Sequence, residues 1–144
     1  MRSANGKSKV ADHLRQVPLF SRCSPKELAT VAKQVEILEF EPGVKIVAQG
    51  EHGDAFYVLI DGDAIVRRNG RRVRELGPGD YFGELAVLDP APRNADVEAH
   101  TATTVARLGI GPFCSMLLTS PEINERLLQG LARRVRDGDR NTIE

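Results

Sequence analysis

The spacing of apolar residues changes twice along this chain. The changes separate a helical start, a β-rich middle and a helical end. Val10, Leu14 and Val17 recur at helical intervals up to Pro18, a period that predicts a short first helix ended by the proline. Ser24-Pro25-Lys26-Glu27 then has the form of a helix start, with serine at the N-cap, proline at the first helical position and glutamate closing a capping box. Leu28, Val31, Ala32 and Val35 give that second helix its apolar face.

From about residue 35 to residue 109 the period shortens toward two. Stretches 35–40, 44–47, 55–60, 64–68, 73–76, 95–99 and 105–108 are short and rich in β-branched or aromatic side chains. Turn signals separate them: Glu41-Pro42-Gly43, residues 50–53, Asp61-Gly62, Asn69-Gly70 and Gly77-Pro78-Gly79-Asp80. Asn69-Gly70 is the clearest, because a two-residue type I′ turn needs positive φ at both positions. Many short strands at this spacing predict an antiparallel roll or sandwich of jelly-roll type. Inside it, residues 83–88 are the one segment that reads as helix.

After Pro112 the pattern turns helical again. Ser120-Pro121 opens a last helix whose Ile123, Leu127, Leu128, Leu131 and Val135 form one apolar stripe, expected to pack on the β core, with a dimer seam as the competing use. Gly138 is the expected stop. The fold class is therefore α+β: an antiparallel β-roll, or double-stranded β-helix, with N-terminal helices, a short internal helix and a C-terminal helix. The expected organisation is a flexible tail over residues 1–9, one domain over 10–138 and a second tail over 139–144. Six residues are too few for a helix-turn-helix, kinase or channel, so the output is expected in trans or in a longer chain.

Composition changes this picture little. The 144 residues are 41% hydrophobic and 28% charged, ordinary for one domain, and the formal net charge of zero leaves no whole-chain attraction for nucleic acid or an anionic membrane. No apolar run approaches the roughly 20 residues that span a bilayer, and the polar N-terminus lacks a signal-peptide core. Cys23 and Cys114, far apart and without metal-type spacing, read as reduced thiols of a cytoplasmic protein. His13, His52 and His100 are isolated, which argues against a metal-dependent jelly-roll enzyme, and no nucleophile-elbow sequence is present. Arg67, Arg68, Arg71, Arg72 and Arg74 crowd one hairpin and read as a solvated edge, or as a docking patch for an acidic partner. Arg133, Arg134 and Arg136 suit the C-terminal dipole of the last helix and read as solvated.

The distinctive chemistry lies in Phe82-Gly83-Glu84-Leu85-Ala86 and, shortly after, Pro92-Arg93-Asn94-Ala95. Gly83 lets backbone amides approach an anion, Arg93 offers a planar fork of donors to phosphate oxygens, and Glu84 can accept from a sugar hydroxyl. Together they suit a small ligand with both a hydroxylated sugar and a phosphate.

Three segments, in order, resemble the cyclic nucleotide-binding domains of catabolite activator proteins, cyclic-nucleotide-dependent kinases and gated channels. They are Leu19-Phe20 with the Ser24 helix; Gly50-Glu51 through Phe56-Tyr57-Val58-Leu59-Ile60-Asp61-Gly62; and Gly79-Asp80-Tyr81-Phe82-Gly83-Glu84-Leu85-Ala86 with Pro92-Arg93-Asn94-Ala95-Asp96-Val97. The likeness covers roughly residues 17–136. It implies that Arg93 pairs with the cyclic phosphate and Glu84 accepts from the ribose 2′-hydroxyl. It also implies that amides near Gly83, Leu85, Ala86 and Ala95 complete the cradle, and that Val66 and Leu76 line the base side. The last helix would be a lid that moves on binding.

Two positions depart from the family pattern. Asn94 stands where alanine, serine or threonine is usual. Asp96 stands where threonine, serine or a bulky residue is usual, and would repel phosphate if it faced the ligand. Strand alternation puts Asp96 on the face opposite Arg93. The resulting expectation is a non-enzymatic cytoplasmic sensor of a 3′,5′-cyclic nucleotide, cyclic AMP over cyclic GMP, with no cofactor, no metal and no contact to nucleic acid or membrane. It would signal to a protein effector in cis or in trans and could form a homodimer. The competing expectation is an interaction module that keeps the fold and has lost the ligand.

Overall fold

The computed structural model describes residues 7–88 and 91–136. Helix α1 (Lys7–Arg15), a single 3-10 turn (Pro18–Phe20) and α2 (Pro25–Gln34) come first. α1 begins at Lys7, inside the stretch read as a tail. The α2 start forms as its sequence requires: Glu27 N donates to Ser24 Oγ at 3.1 Å while Ser24 N donates to Glu27 Oε1 at 3.0 Å. The other Glu27 oxygen, Oε2, accepts from Ser120 Oγ at 2.7 Å and ties this corner to the far end of the chain.

Eight strands follow among the described residues: β1 (Glu36–Phe40), β2 (Lys45–Val47), β3 (Ala55–Asp61), β4 (Ala64–Arg68), β5 (Arg71–Leu76), β6 (Tyr81–Phe82), β7 (Asp96–Ala99) and β8 (Thr103–Gly109). α3 (Glu84–Leu88) interrupts them, and α4 (Ile110–Thr119) and α5 (Pro121–Arg136) close the described chain. The strands make two antiparallel four-stranded sheets, ordered β1-β8-β3-β6 and β2-β7-β4-β5. β6 went unseen in the sequence because two residues cannot display a period. Asn69 and Gly70 turn the β4–β5 hairpin at φ 54° and 80°, as a type I′ turn needs.

Central strand β3 is apolar from Ala55 to Ile60 because both of its faces are covered there. Phe56 and Val58 point into a layer shared with Leu14, Phe20, Leu28, Phe113, Ile123 and Leu127 from the helices. Tyr57 and Leu59 point the other way, into the interior of the roll with Val66, Leu76, Phe82, Val97 and Val105. Truncating such a residue to alanine costs about 2–5 kcal/mol, which is how a two-sided strand fixes both layers at once.

The last helix differs from its predicted stripe. Ile123 and Leu127 are buried, but Leu128 and Val135 are 61% and 79% exposed. At 100° per residue the inward face runs through Ile123, Leu127, Gly130 and Arg134, so Leu128 and Val135 fall outside it. The expected stop at Gly138 lies outside the described residues.

Candidate functional site

The site is assembled where the end of β6 meets the start of β3 and the loop that enters β7. Gly83 has φ +91°, and a Cβ there would lie 2.8 Å from Ala55 O and 3.0 Å from Arg93 Nη1. Only glycine permits both the left-handed turn and that approach. Arg93 Nη2 donates to Ala55 O at 3.0 Å, and its guanidinium carbon sits 5.7 Å from the Tyr57 ring centroid. Its main chain is clamped to the glycine loop: Arg93 N donates to Glu51 O at 2.7 Å, and Gly50 N donates to Arg93 O at 2.8 Å. Burial pushes the Arg93 pKa down, opposed by Tyr57, Asp54 and Glu51. An anion delivered to this guanidinium would restore what desolvation removes.

Glu84, the next residue after Gly83, is completely buried. Its Oε1 accepts from Arg134 Nη1 of α5 at 2.6 Å, while Oε2 has no hydrogen-bond partner among the described residues. Burial pushes the Glu84 carboxyl up from the ordinary glutamate range, opposed chiefly by Arg134 and more weakly by Arg74. Arg134 therefore corrects the expectation of a solvated C-terminal arginine. Its position four residues past Gly130 and seven past Leu127 places it on the inward face, a signal that the helical repeat carried.

The remaining expected residues fall into three groups. Ala95 is fully buried and Asn94 half-buried, its main-chain oxygen accepting from Arg68 Nε at 3.2 Å. Leu85 and Ala86 lie on α3, and their side chains are outside the described residues. Val66 and Leu76 are fully buried in the roll interior. Asp96 faces away from the site, as strand parity requires: Oδ1 accepts from Gln49 N at 2.7 Å and Oδ2 lies 3.4 Å from Lys45 Nζ.

Under α5 lies an open cavity of about 600 Å³, lined in part by Arg74, Tyr81, Gly130, Arg133 and Arg134. Arg74 lines this cavity within electrostatic reach of the Glu84 carboxylate. The Tyr81 ring is held between Phe56, 5.6 Å between centroids, and the Arg134 guanidinium at 5.8 Å. A Cβ at Gly130 would come within 2.7 Å of Tyr81 Oη, so the glycine is what allows α5 to lie this close. The start of α3 thus joins a buried carboxylate to a guanidinium of α5 beside a cavity lined by further arginines, a cavity that neither Arg93 nor Glu84 lines.

A profile of the cyclic nucleotide-binding domain matches residues 37–120. The chain is 41% identical over 115 residues to a cAMP-dependent protein kinase regulatory subunit of Aspergillus niger, covering 78% of this chain and 28% of that protein. It is 33% identical over 136 residues to a CRP-like cAMP-activated global transcriptional regulator of Mycobacterium tuberculosis, covering 91% of this chain and 61% of the regulator. The regulatory domain of Toxoplasma gondii PKA, solved with cAMP, superposes with a TM-score of 0.77 at 31% identity, over 89% of this chain and 50% of that one. The chain thus spans less than two thirds of each of these relatives. Profile, identity and topology agree: this chain belongs to the cyclic nucleotide-binding domain family.

Proposed function

We propose that the domain, residues 10–138, is a non-enzymatic cytoplasmic sensor that binds a 3′,5′-cyclic nucleotide between Arg93 and Glu84. The observation that carries this reading is Glu84 Oε2, a buried acceptor without a donor among the described residues, beside a carboxylate oxygen already held by Arg134. Leaving such an atom unsatisfied costs about 1–3 kcal/mol, and a ribose 2′-hydroxyl supplies the missing donor. Arg93 takes the cyclic phosphate, with amides near Gly83, Leu85, Ala86 and Ala95 around it and Asn94 at its edge. The single ligand charge needs no more than one guanidinium and a few oriented dipoles.

Relatives named for cAMP support cyclic AMP as the ligand. The cavity lining itself serves either base. Arg74, Arg133 and Arg134 bring donors to the cavity that suit the N7 and O6 acceptors of guanine, while Asp80, also in its lining, offers an acceptor that suits the 6-amino group of adenine. Val66 and Leu76 form the apolar floor behind whichever base is bound. The output is a shift of α5, which the ligand can drive only as far as it prefers one helix position to the other. The effector is a protein in cis or in trans, and the exposed Leu128 and Val135 suit either an effector or a second copy.

Thermal melts in millimolar cyclic AMP and cyclic GMP test the reading. A ligand that binds only the native state must raise the melting temperature. No rise with either nucleotide would leave the interaction module as the better account.

A further inference from the structure

A line of four side chains crosses the sheet that carries Tyr57. Glu36 on β1 pairs with Arg107 on β8, Arg107 pairs with Tyr57 on β3, and Tyr57 pairs with Phe82 on β6, one residue before Gly83. The Tyr57 and Phe82 rings stack at 5.0 Å and 9°. Arg107 is the hub of the row. Its Nη1 donates to Glu36 Oε1 at 3.0 Å, its Nη2 donates to Asp54 Oδ2 at 3.4 Å, and Tyr57, its partner in the strand register, helps to hold its charge.

Two of those three partners also touch Arg93. The Tyr57 ring lies under the Arg93 guanidinium, and Asp54 Oδ1 is 4.0 Å from Arg93 Nη2. Asp54 is thus shared, one oxygen toward each arginine, with the closer contact to Arg107. Resting on the reading that Arg93 binds the cyclic phosphate, we propose that Arg107 is a positioning residue for that site: it holds the Asp54 carboxylate and so keeps it from closing onto Arg93.

The physical case is a competition between anions. Arg93 is 2% exposed at its side chain and Asp54 is 71% exposed, so Asp54 is the partner free to move. Without the Arg107 cation, the described cation left beside Asp54 is Arg93. A carboxylate can engage a guanidinium through two parallel hydrogen bonds, the same geometry a phosphate uses. The nucleotide would then have to displace an ion pair before forming one. Arg107 prevents this without entering the site, and its own like charge adds to the positive potential that an anion meets.

Calorimetric titration of cyclic AMP and cyclic GMP into wild type, Arg107→Gln, Asp54→Asn, the double variant and Glu36→Gln tests the idea. Arg107→Gln is expected to weaken binding about fivefold, the scale of one partly exposed charge contact. Adding Asp54→Asn should restore affinity to within about twofold of wild type, because the competing carboxylate is gone. Glu36→Gln, which removes the one partner that does not touch Arg93, should leave affinity unchanged even where it lowers the melting temperature. Unchanged binding in Arg107→Gln, or a loss that Asp54→Asn fails to rescue, overturns the proposal. An Asp54→Asn protein that binds more weakly than wild type also overturns it, whether or not Arg107→Gln folds. Wild type that takes up neither nucleotide removes the phosphate reading itself, whereas wild-type binding with indifferent variants removes only the role of Arg107.

Discussion

Arg134 Nη1 donates to Glu84 Oε1 at 2.6 Å, joining the last turn of the described α5 to the first residue of α3. The bond spans 50 positions of sequence and links the carboxylate proposed to hold the ribose with the helix proposed to move. A nucleotide hydroxyl arriving at Oε2 would find its acceptor already polarised by Arg134. Any change in one oxygen's bonding is felt by the other, so a ligand held at Oε2 would be coupled to the position of α5 through a single side chain.

Removing Arg134 should therefore cost stability as well as coupling. Arg134→Met leaves the Glu84 carboxylate buried without its cation. Breaking a buried pair costs about 3–5 kcal/mol, and here less, about 2 kcal/mol, because the arginine is partly exposed and Glu84 can take up a proton. Urea unfolding would measure it. A change below about 0.5 kcal/mol, the usual range of a surface substitution, would show that the pair is not holding α5.

The pH dependence of stability carries two opposite contributions that meet near the ordinary glutamate pKa of 4.5. Burial raises the Glu84 pKa in the fold. From 4.5 up to that raised value the native state keeps a proton the unfolded chain has lost, so stability falls as pH rises. Glu27 runs the other way: its bonds from Ser24 and Ser120 lower its pKa, so its contribution is present above 4.5 and is lost as pH falls through the lowered value. Melts across this range should show Glu84→Gln flattening the upper limb and Glu27→Gln flattening the acid limb. A Glu84→Gln profile parallel to wild type would contradict the first assignment.

Much of this was readable from residues alone, and the exceptions share a cause. Strands β1–β5, β7 and β8 and the α2 start follow from local pattern, since alternation and capping are short-range signals. The orientation of Asp96 followed from parity, confirmed by its bonds to Gln49 and Lys45. β6 escaped because two residues show no period. Arg134 escaped because one arginine among Arg133, Arg134 and Arg136 differs from the others only by which helix face meets the roll. The helical repeat through Ile123, Leu127 and Gly130 carried that signal, but the apolar Leu128 and Val135 widened the predicted stripe and pointed it elsewhere.

Gly130 should behave unlike an ordinary helical glycine. In a helix interior alanine is favoured over glycine by about 1 kcal/mol. Here the added methyl meets Tyr81 Oη at 2.7 Å, and the ring cannot swing freely between Phe56 and Arg134. Gly130→Ala is expected to lower the melting temperature in wild type and to raise it in a Tyr81→Phe background, where the clashing oxygen is gone. The same sign in both backgrounds would mean that α5 is not seated on that ring.

The proposed ligand site depends most on Arg93. It is buried, fixed by Ala55 O and Tyr57, and carried on a main chain clamped at both its N–H and its carbonyl. Truncating one member of a buried charge pair costs about 2–5 kcal/mol of binding, so Arg93→Ala should weaken cyclic-nucleotide affinity by more than about thirtyfold. Arg93→Lys keeps the charge but not the planar fork, and should recover only part of the loss. Asp96→Asn, on the opposite face, should leave affinity within about twofold, since its carboxylate is spent on Gln49 and Lys45 rather than on repelling phosphate. Titration calorimetry separates these outcomes. Equal affinity in Arg93→Ala and wild type would take Arg93 out of the site, and a marked gain in Asp96→Asn would show that the aspartate, not the arginine, governs what the pocket accepts.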